Sequence, residues 1–261
     1  MPELPDVEHY RRFFRDHATG RTVRSVRADP TILRNTDPAT LQRALRGRRF
    51  DEPERHGKWL LCWTDGPALL LHFGMTGDLI SSDDESDRHR HDRLWITFRE
   101  GGELRYRNMR KLGGVWLAHD RDEAARITGD LGPDALSIGR AEFLERLGRR
   151  RGGVKAALMD QSLVAGVGNL IADETLWQAG LHPRRRIETL DHDERRRLFR
   201  SMRTVLRESV DHFDYIPRKR SWLSHVRGRP GARCPRCGTP LGRIVAGSRT
   251  TYFCPVDQPA P

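Results

Sequence analysis

Pro2 and Glu3 are the first residues in the chain whose types could do chemistry. A small residue at position two favours removal of Met1, which would leave Pro2 as a secondary amine. Such an amine attacks a sugar aldehyde carbon and must then pass to a cationic iminium. Its ordinary pKa of about 7.7–8.0 leaves a useful fraction unprotonated near neutrality. Glu3 alongside is a candidate general acid. The same two residues also suit the plain start of a helix, where proline is well tolerated.

A second constellation lies near the other end. Cys234-Pro-Arg-Cys237 is followed by sixteen residues and then Cys254-Pro-Val-Asp257. Two such knuckles at this separation suggest a structural zinc site, with Asp257 offering oxygen where a fourth cysteine would offer sulfur. Gly166-Val167-Gly168-Asn169 precedes an apolar helical run. Backbone N–H groups in such a turn, with the helix amino terminus, can bind a phosphate. Arg150 and Lys155 lie upstream and could add phosphate contacts, although each alone reads as a surface charge.

Composition narrows the partners. In 261 residues, 47 Lys and Arg outweigh 36 Asp and Glu, for a net charge of +11. That balance favours a polyanion without choosing among nucleic acid, anionic membrane and simple solubility. With 36% hydrophobic residues, no stretch offers the ~20 apolar positions of a membrane span. The first helix carries Arg11, Arg12, Asp16 and His17, unlike a signal peptide. Few cysteines, three of them clustered, suit a metal site in a reducing, intracellular compartment.

The elements that must hold these residues follow from periodicity. Val7, Tyr10 and Phe14 predict a helix over 3–17 with Gly20 as its stop. Short apolar runs at 22–26, 59–63, 69–73, 94–98 and 114–117 predict a β-sandwich. Residues 81–93 read as a charged loop. Beyond Gly132-Pro133 the apolar spacing turns helical up to about His212. Residues 216–231, basic and rich in Pro and Gly, read as a linker, and 234–258 as a cysteine hairpin. The expected fold class is α+β. The expected domains are 1–130 (helix and β-sandwich), 131–215 (helical) and 216–261 (linker and hairpin).

The segments PELPDVE, HGKWLL, HFGMTG, YRNMRKLGG and LMDQSLVAGVGNLIADE, with the terminal hairpin, occur in this order. They closely resemble the formamidopyrimidine-DNA glycosylase/endonuclease VIII family of base-excision repair enzymes. Leu4-Pro5 looks more like the formamidopyrimidine branch. The resemblance implies a helix–two-turn–helix in the second domain and a zinc-finger-like β-hairpin at the end. It implies a bifunctional DNA glycosylase and abasic-site lyase that works through a Schiff base on Pro2, with Glu3, Lys58 and the hairpin's Arg249 in the chemistry. Met75, Arg110 and Leu112 would fill the gap left by a damaged nucleotide turned out of the duplex. His72, His91, Arg150, Lys155 and Asn169 match or neighbour DNA contacts. Cys234, Cys237, Cys254 and Asp257 would hold one structural zinc.

Three departures bear on substrate. Leu112 stands where the formamidopyrimidine branch usually has an aromatic residue. Asp257 replaces the fourth cysteine. Only 21 residues separate His212 from Cys234, where members that cap flipped 8-oxoguanine have a longer segment. These leave two other readings open: an abasic-site lyase with little glycosylase activity, and a non-catalytic binder of damaged DNA. The expected partner is damaged double-stranded DNA, with no membrane. The expected state is a monomer in the cytoplasm, associated with the nucleoid through DNA.

Overall fold

The computed structural model describes residues 2–84, 86–212 and 219–260. The expected removal of Met1, and residues 216–218 of the expected linker, lie outside them. The chain divides into two compact units: Met1–Pro2 with Asp6–Asp130, and Glu3–Pro5 with Leu131–Pro261.

The first unit takes most of helix α1 (Leu4–Ala18), whose Val7, Tyr10, Phe14 and Ala18 form one buried stripe. Strand β1 (Val23–Ala28) and helix α2 (Pro38–Leu45) follow. Asp37 caps α2 by accepting from Ala39 N and Thr40 N, with Pro38 opening the helix. Then come β2 (Glu54–His56), β3 (Trp59–Cys62), β4 (Ala68–His72), β5 (Gly77–Ser82), β6 (Asp92–Phe98), β7 (Glu103–Asn108), β8 (Gly114–Ala118) and helix α3 (Arg121–Thr128). The strands make two antiparallel sheets, ordered β1-β6-β7-β5 and β2-β3-β4-β8. One core joins the α1 stripe to Val26, Leu79, Ile96 and Leu104 of the first sheet and to Leu60, Leu69, Leu71 and Val115 of the second.

All five predicted strands are present, and β2, β5 and β7 are added to them. The reason is clearest in β7, whose Glu103 and Arg105 break the apolar pattern yet are buried. They lie two residues apart, on one face of the strand. Arg105 Nε meets Glu103 Oε1 at 2.7 Å, so each charge is paired where it is buried. The predicted 81–93 loop also gives up its ends, which belong to β5 and β6.

The second unit contains α4 (Arg140–Gly148), α5 (Val154–Met159), α6 (Asn169–Ala179), α7 (His192–Asp211), α8 (Leu223–Val226) and the hairpin β9 (Gly242–Ala246) and β10 (Arg249–Phe253). Helix α6 is buried nearly all round, as a central helix must be, and ends on Gly180 at φ +66°. Helix α7 begins with a reciprocal capping box between Asp191 and Glu194. The linker expectation fails over the described part of 216–231. Trp222 and Leu223 there are buried, and α8 forms on them, because a basic segment carrying two large apolar side chains still gains by burying those two.

Candidate active site

Glu3 is only 2% exposed, and its carboxylate sits on the amino terminus of α6. Gly168 N and Ile171 N donate to Oε2 at 2.9 and 3.1 Å, and Leu170 N donates to Oε1 at 2.8 Å. These N–H groups have no partner within the helix and lie at its positive end. The glycine pair makes this seat possible. A Cβ on Gly168 would overlap the Glu3 carboxyl, and one on Gly166, which lies at φ +112°, would overlap Leu4. Gln161 holds the turn from inside: its Nε2 donates to Met159 O and Val167 O, and its Oε1 accepts from Gly166 N. The expected phosphate-binding turn therefore already carries an anion, the side chain of Glu3.

Lys58 lies in the tight turn from β2 to β3, half-buried after Gly57 at φ +57°. Arg55 braces this hairpin, donating to Gly57 O at 3.1 Å and pairing with Glu8 of α1 at 3.1 Å. Burial alone would raise the Glu8 carboxyl, but Arg11 and Arg55 outweigh it and hold that carboxyl below its ordinary value. Burial, and after it the charge of Lys58, lowers the imidazole of His72. Its Nδ1 accepts from Gly74 N at 3.3 Å, so neutral His72 carries its proton on Nε2.

Met75 lies on the turn from β4 to β5, and Arg110 and Leu112 on the turn from β7 to β8. All three are exposed, Met75 by 39% and Leu112 by 55%. Neighbouring Met109 is exposed as well. His91 is half-buried ahead of β6; its Nε2 accepts from Arg90 Nε, and burial and then the surrounding Arg90, His89, Arg93 and Arg107 lower it.

In the second unit Asn169 opens α6, and its Nδ2 donates to Thr250 O of the hairpin at 3.2 Å. Arg249 is exposed at the start of β10, next to a two-residue turn in which Gly247 and Ser248 both have positive φ, as a tight hairpin requires. Arg150 is half-buried and engaged with Ser162 at 2.7 Å and Asp160 at 3.3 Å. The reading of Lys155 as a surface charge free for phosphate is corrected. It is 0% exposed, 2.6 Å from Asp173 Oδ1 and hydrogen-bonded to Thr251 Oγ1. Burial lowers its ammonium, opposed by Asp173 and assisted by Arg227. Removing Asp173 would leave the Lys155 ammonium buried without a carboxylate, at a cost of about 3–5 kcal/mol.

Three family models cover most of the chain. Residues 1–115 match the formamidopyrimidine-DNA glycosylase N-terminal domain, 131–217 the H2TH domain of the same glycosylase, and 231–260 a zinc finger found in FPG and IleRS. The chain belongs to the formamidopyrimidine-DNA glycosylase family. Among curated members, that of Heliobacterium modesticaldum is 38% identical over 280 residues, with 99% of this chain and 100% of that protein covered. That of Herpetosiphon aurantiacus is 36% identical over 275 residues, covering 99% and 100%. The Lactococcus lactis glycosylase, solved non-covalently bound to DNA containing an AP site, superposes with a TM-score of 0.89 at 29% identity, covering 99% and 100%. The same enzyme with Fapy-dG containing DNA gives 0.89 at 28% identity, with the same coverage.

The glycosylase zinc finger is complete in its donors. The ligand atoms of Cys234, Cys237, Cys254 and Asp257 all lie within 4.8 Å of one another. Cys237 Sγ is 3.4 Å from Cys254 Sγ, and Asp257 Oδ2 is 3.0 Å from Cys234 Sγ. Sulfur atoms each about 2.3 Å from one tetrahedral zinc would be about 3.8 Å apart, so the donor set fits that ion with small adjustments. Trp177 Nε1 and Asp257 N donate to Cys234 Sγ and Cys254 Sγ, both at 3.4 Å, and such N–H groups favour thiolate sulfur. A bound zinc would be structural, tying both knuckles to the base of the hairpin that carries Arg249.

Sequence reasoning missed Gln161, Arg55, Asp173 and Arg227. Asp173 and Glu174 stand one turn into α6, inside an apolar run, and that placement was the available signal. Arg227 pairs with Asp173 at 2.8 Å and reaches Thr250 O at 3.3 Å. It lies in the segment read as linker.

Proposed function

We propose that this chain excises oxidised or ring-opened bases from double-stranded DNA and then cleaves the strand by elimination. Glu3 seated on α6, directly after Pro2 in the chain, is the observation that carries the reading. It supports a fixed negative charge beside the amine that must become cationic.

The neutral Pro2 nitrogen attacks C1′ of the turned-out nucleotide as the glycosidic bond breaks. The base leaves with that electron pair and takes a proton from solvent. Glu3 accepts the proton that the new C–N bond has acidified and delivers it to the sugar ring oxygen. The ring opens and the iminium forms. A carboxylate held by N–H donors suits both halves of this relay, because it accepts before it donates. The iminium is an electron sink. Loss of the C2′ proton expels the 3′ phosphate, and loss of the C4′ proton expels the 5′ phosphate. Water then hydrolyses the iminium and frees Pro2. Lys58 assists elimination, and Arg249, Asn169 and Arg150 hold phosphates beside the lesion. His72 contributes its Nε2–H donor, and His91 lies with the basic groups of its loop. Met75, Arg110 and Leu112 occupy the gap. Lys155 acts from inside, bracing the hairpin through Thr251. The protein acts as a monomer in the compartment that holds the DNA, and no described helix is long and apolar enough to cross a membrane.

Leu112 and the short segment before Cys234 favour broad lesion tolerance, with oxidised pyrimidines and ring-opened purines processed at least as well as 8-oxoguanine. Borohydride trapping on a panel of defined-lesion duplexes tests both points. The adduct is expected on residue 2 of protein lacking Met1. An adduct on Lys58, or full activity with Met1 intact, would overturn the assignment. A strong preference for 8-oxoguanine opposite cytosine would overturn the breadth.

A further inference from the structure

The turns carrying Met75 and Arg110 both cross from one sheet of the sandwich to the other. β4 to β5 leaves the second sheet for the first, and β7 to β8 returns. Their bases are paired strand to strand, His72 with Gly114 and Gly77 with Asn108. Asn108 is 0% exposed beneath them. Its Oδ1 accepts from Thr76 Oγ1 at 3.1 Å and from Lys111 N at 2.9 Å. Its Nδ2 donates to Tyr106 Oη at 2.6 Å and to Phe73 O at 3.4 Å. Two bonds accepted and two donated use the whole capacity of an amide, and they fix which way it faces.

Thr76 completes the tie. Its hydroxyl donates to Asn108 and accepts from Arg110 N at 3.1 Å. One side chain of the first turn thus holds the backbone of the second. Lys111 has φ 53°, rare for a residue with a side chain, and its N–H is fixed by Asn108. The two backbones also meet directly, since a Cβ on Gly74 would overlap Gly113 N and one on Gly113 would overlap His72 O.

We propose that Thr76 and Asn108 are positioning residues that lock both turns into one body, so that Met75, Arg110 and Leu112 enter the duplex together. This rests on the reading of those three as the residues that fill the gap. Exposed apolar side chains on separate flexible turns would lose conformational freedom on entering DNA. A lock formed in advance reduces that loss.

The test uses the full-length enzyme on duplexes with one lesion opposite each of the four bases. Thr76→Val keeps the shape and removes the hydroxyl. It should lower kcat/KM for base excision about tenfold and flatten the opposite-base preference, with Thr76→Ser restoring both. Asn108→Asp keeps both accepted bonds but loses both donated ones and sets a carboxylate oxygen against Phe73 O. It should therefore flatten that preference as well; an unchanged preference would overturn the part assigned to Asn108. Combined with Met75→Ala, Thr76→Val should add less than about twofold, because residues acting as a unit are not additive. If Met75→Ala is slow and Thr76→Val is either harmless or multiplies that loss, the lock is overturned while gap filling stands. If neither Met75→Ala nor Arg110→Ala slows excision, gap filling falls and the lock falls with it.

Discussion

The seat of Glu3 and the turns of Met75 and Arg110 solve opposite problems with similar parts. At the seat a charge is withdrawn from water, and main-chain N–H groups of α6 replace its hydration. At the turns apolar side chains are held out in water, and buried side-chain groups replace the support that a core would give. Both depend on glycines that let chain segments approach more closely than any side chain permits. The seat tolerates no substitution that moves the backbone, because the backbone itself is the ligand. The turns tolerate changes at their tips and not at their base. On the proposed function, chemistry is fixed by main chain, and fit to DNA is adjusted by side chains.

The largest effect should come from Gly168→Ala, which drives a methyl group into the Glu3 carboxyl. Losing such preorganised donors costs about 10²–10³ in rate, so base excision should fall by at least that much. Cleavage of a preformed abasic site, which already presents an aldehyde, should fall less. Gly139→Ala is the control, at the start of α4 with nothing within 4 Å of the added carbon. Equal loss in both glycine variants would break the comparison, since helix starts would then matter in general and the seat in particular would not.

An intermediate effect is expected at the zinc finger, where side chains and main chain share the work. Asp257→Ala should lower zinc content measured by elemental analysis and weaken strand cleavage through Arg249, whose hairpin loses its tied base. Asp257→Cys should slow zinc loss to a chelator, since a thiolate is the softer ligand. Zinc near zero in active wild-type protein would mean that the hairpin stands without the metal, on its strand pairing and on contacts such as those of Lys155, Arg227 and Asn169.

The smallest effect is expected at a turn tip. Leu112→Phe should sharpen opposite-base discrimination severalfold, because an aromatic ring stacks on a base where leucine only fills space. Unchanged discrimination would place Leu112 outside the gap and leave Met75 and Arg110 to fill it.

Much of the candidate site was legible because its signals are local. Pro2-Glu3, the glycine pair, Met75 after Gly74 and the cysteine knuckles each declare themselves within a few residues. The hidden part consists of polar groups whose partners are distant in sequence. Lys155 looked like any surface lysine, and nothing near it announces Asp173 or Thr251 as partners. Asn108 drew no notice of its own in the sequence, yet it answers to Phe73 and Thr76 across the sandwich. Glu103 and Arg105 disguised a buried strand because they cancel each other's charge.

Sequence by itself determined the helical and strand periods, the basic surface and the residue types that can do covalent chemistry, since these depend on spacing and composition along one chain. Only the tertiary structure decided which charges are buried. The free energy of a charge depends on what surrounds it in space: three N–H groups made a buried Glu3 acceptable, and one carboxylate did the same for Lys155.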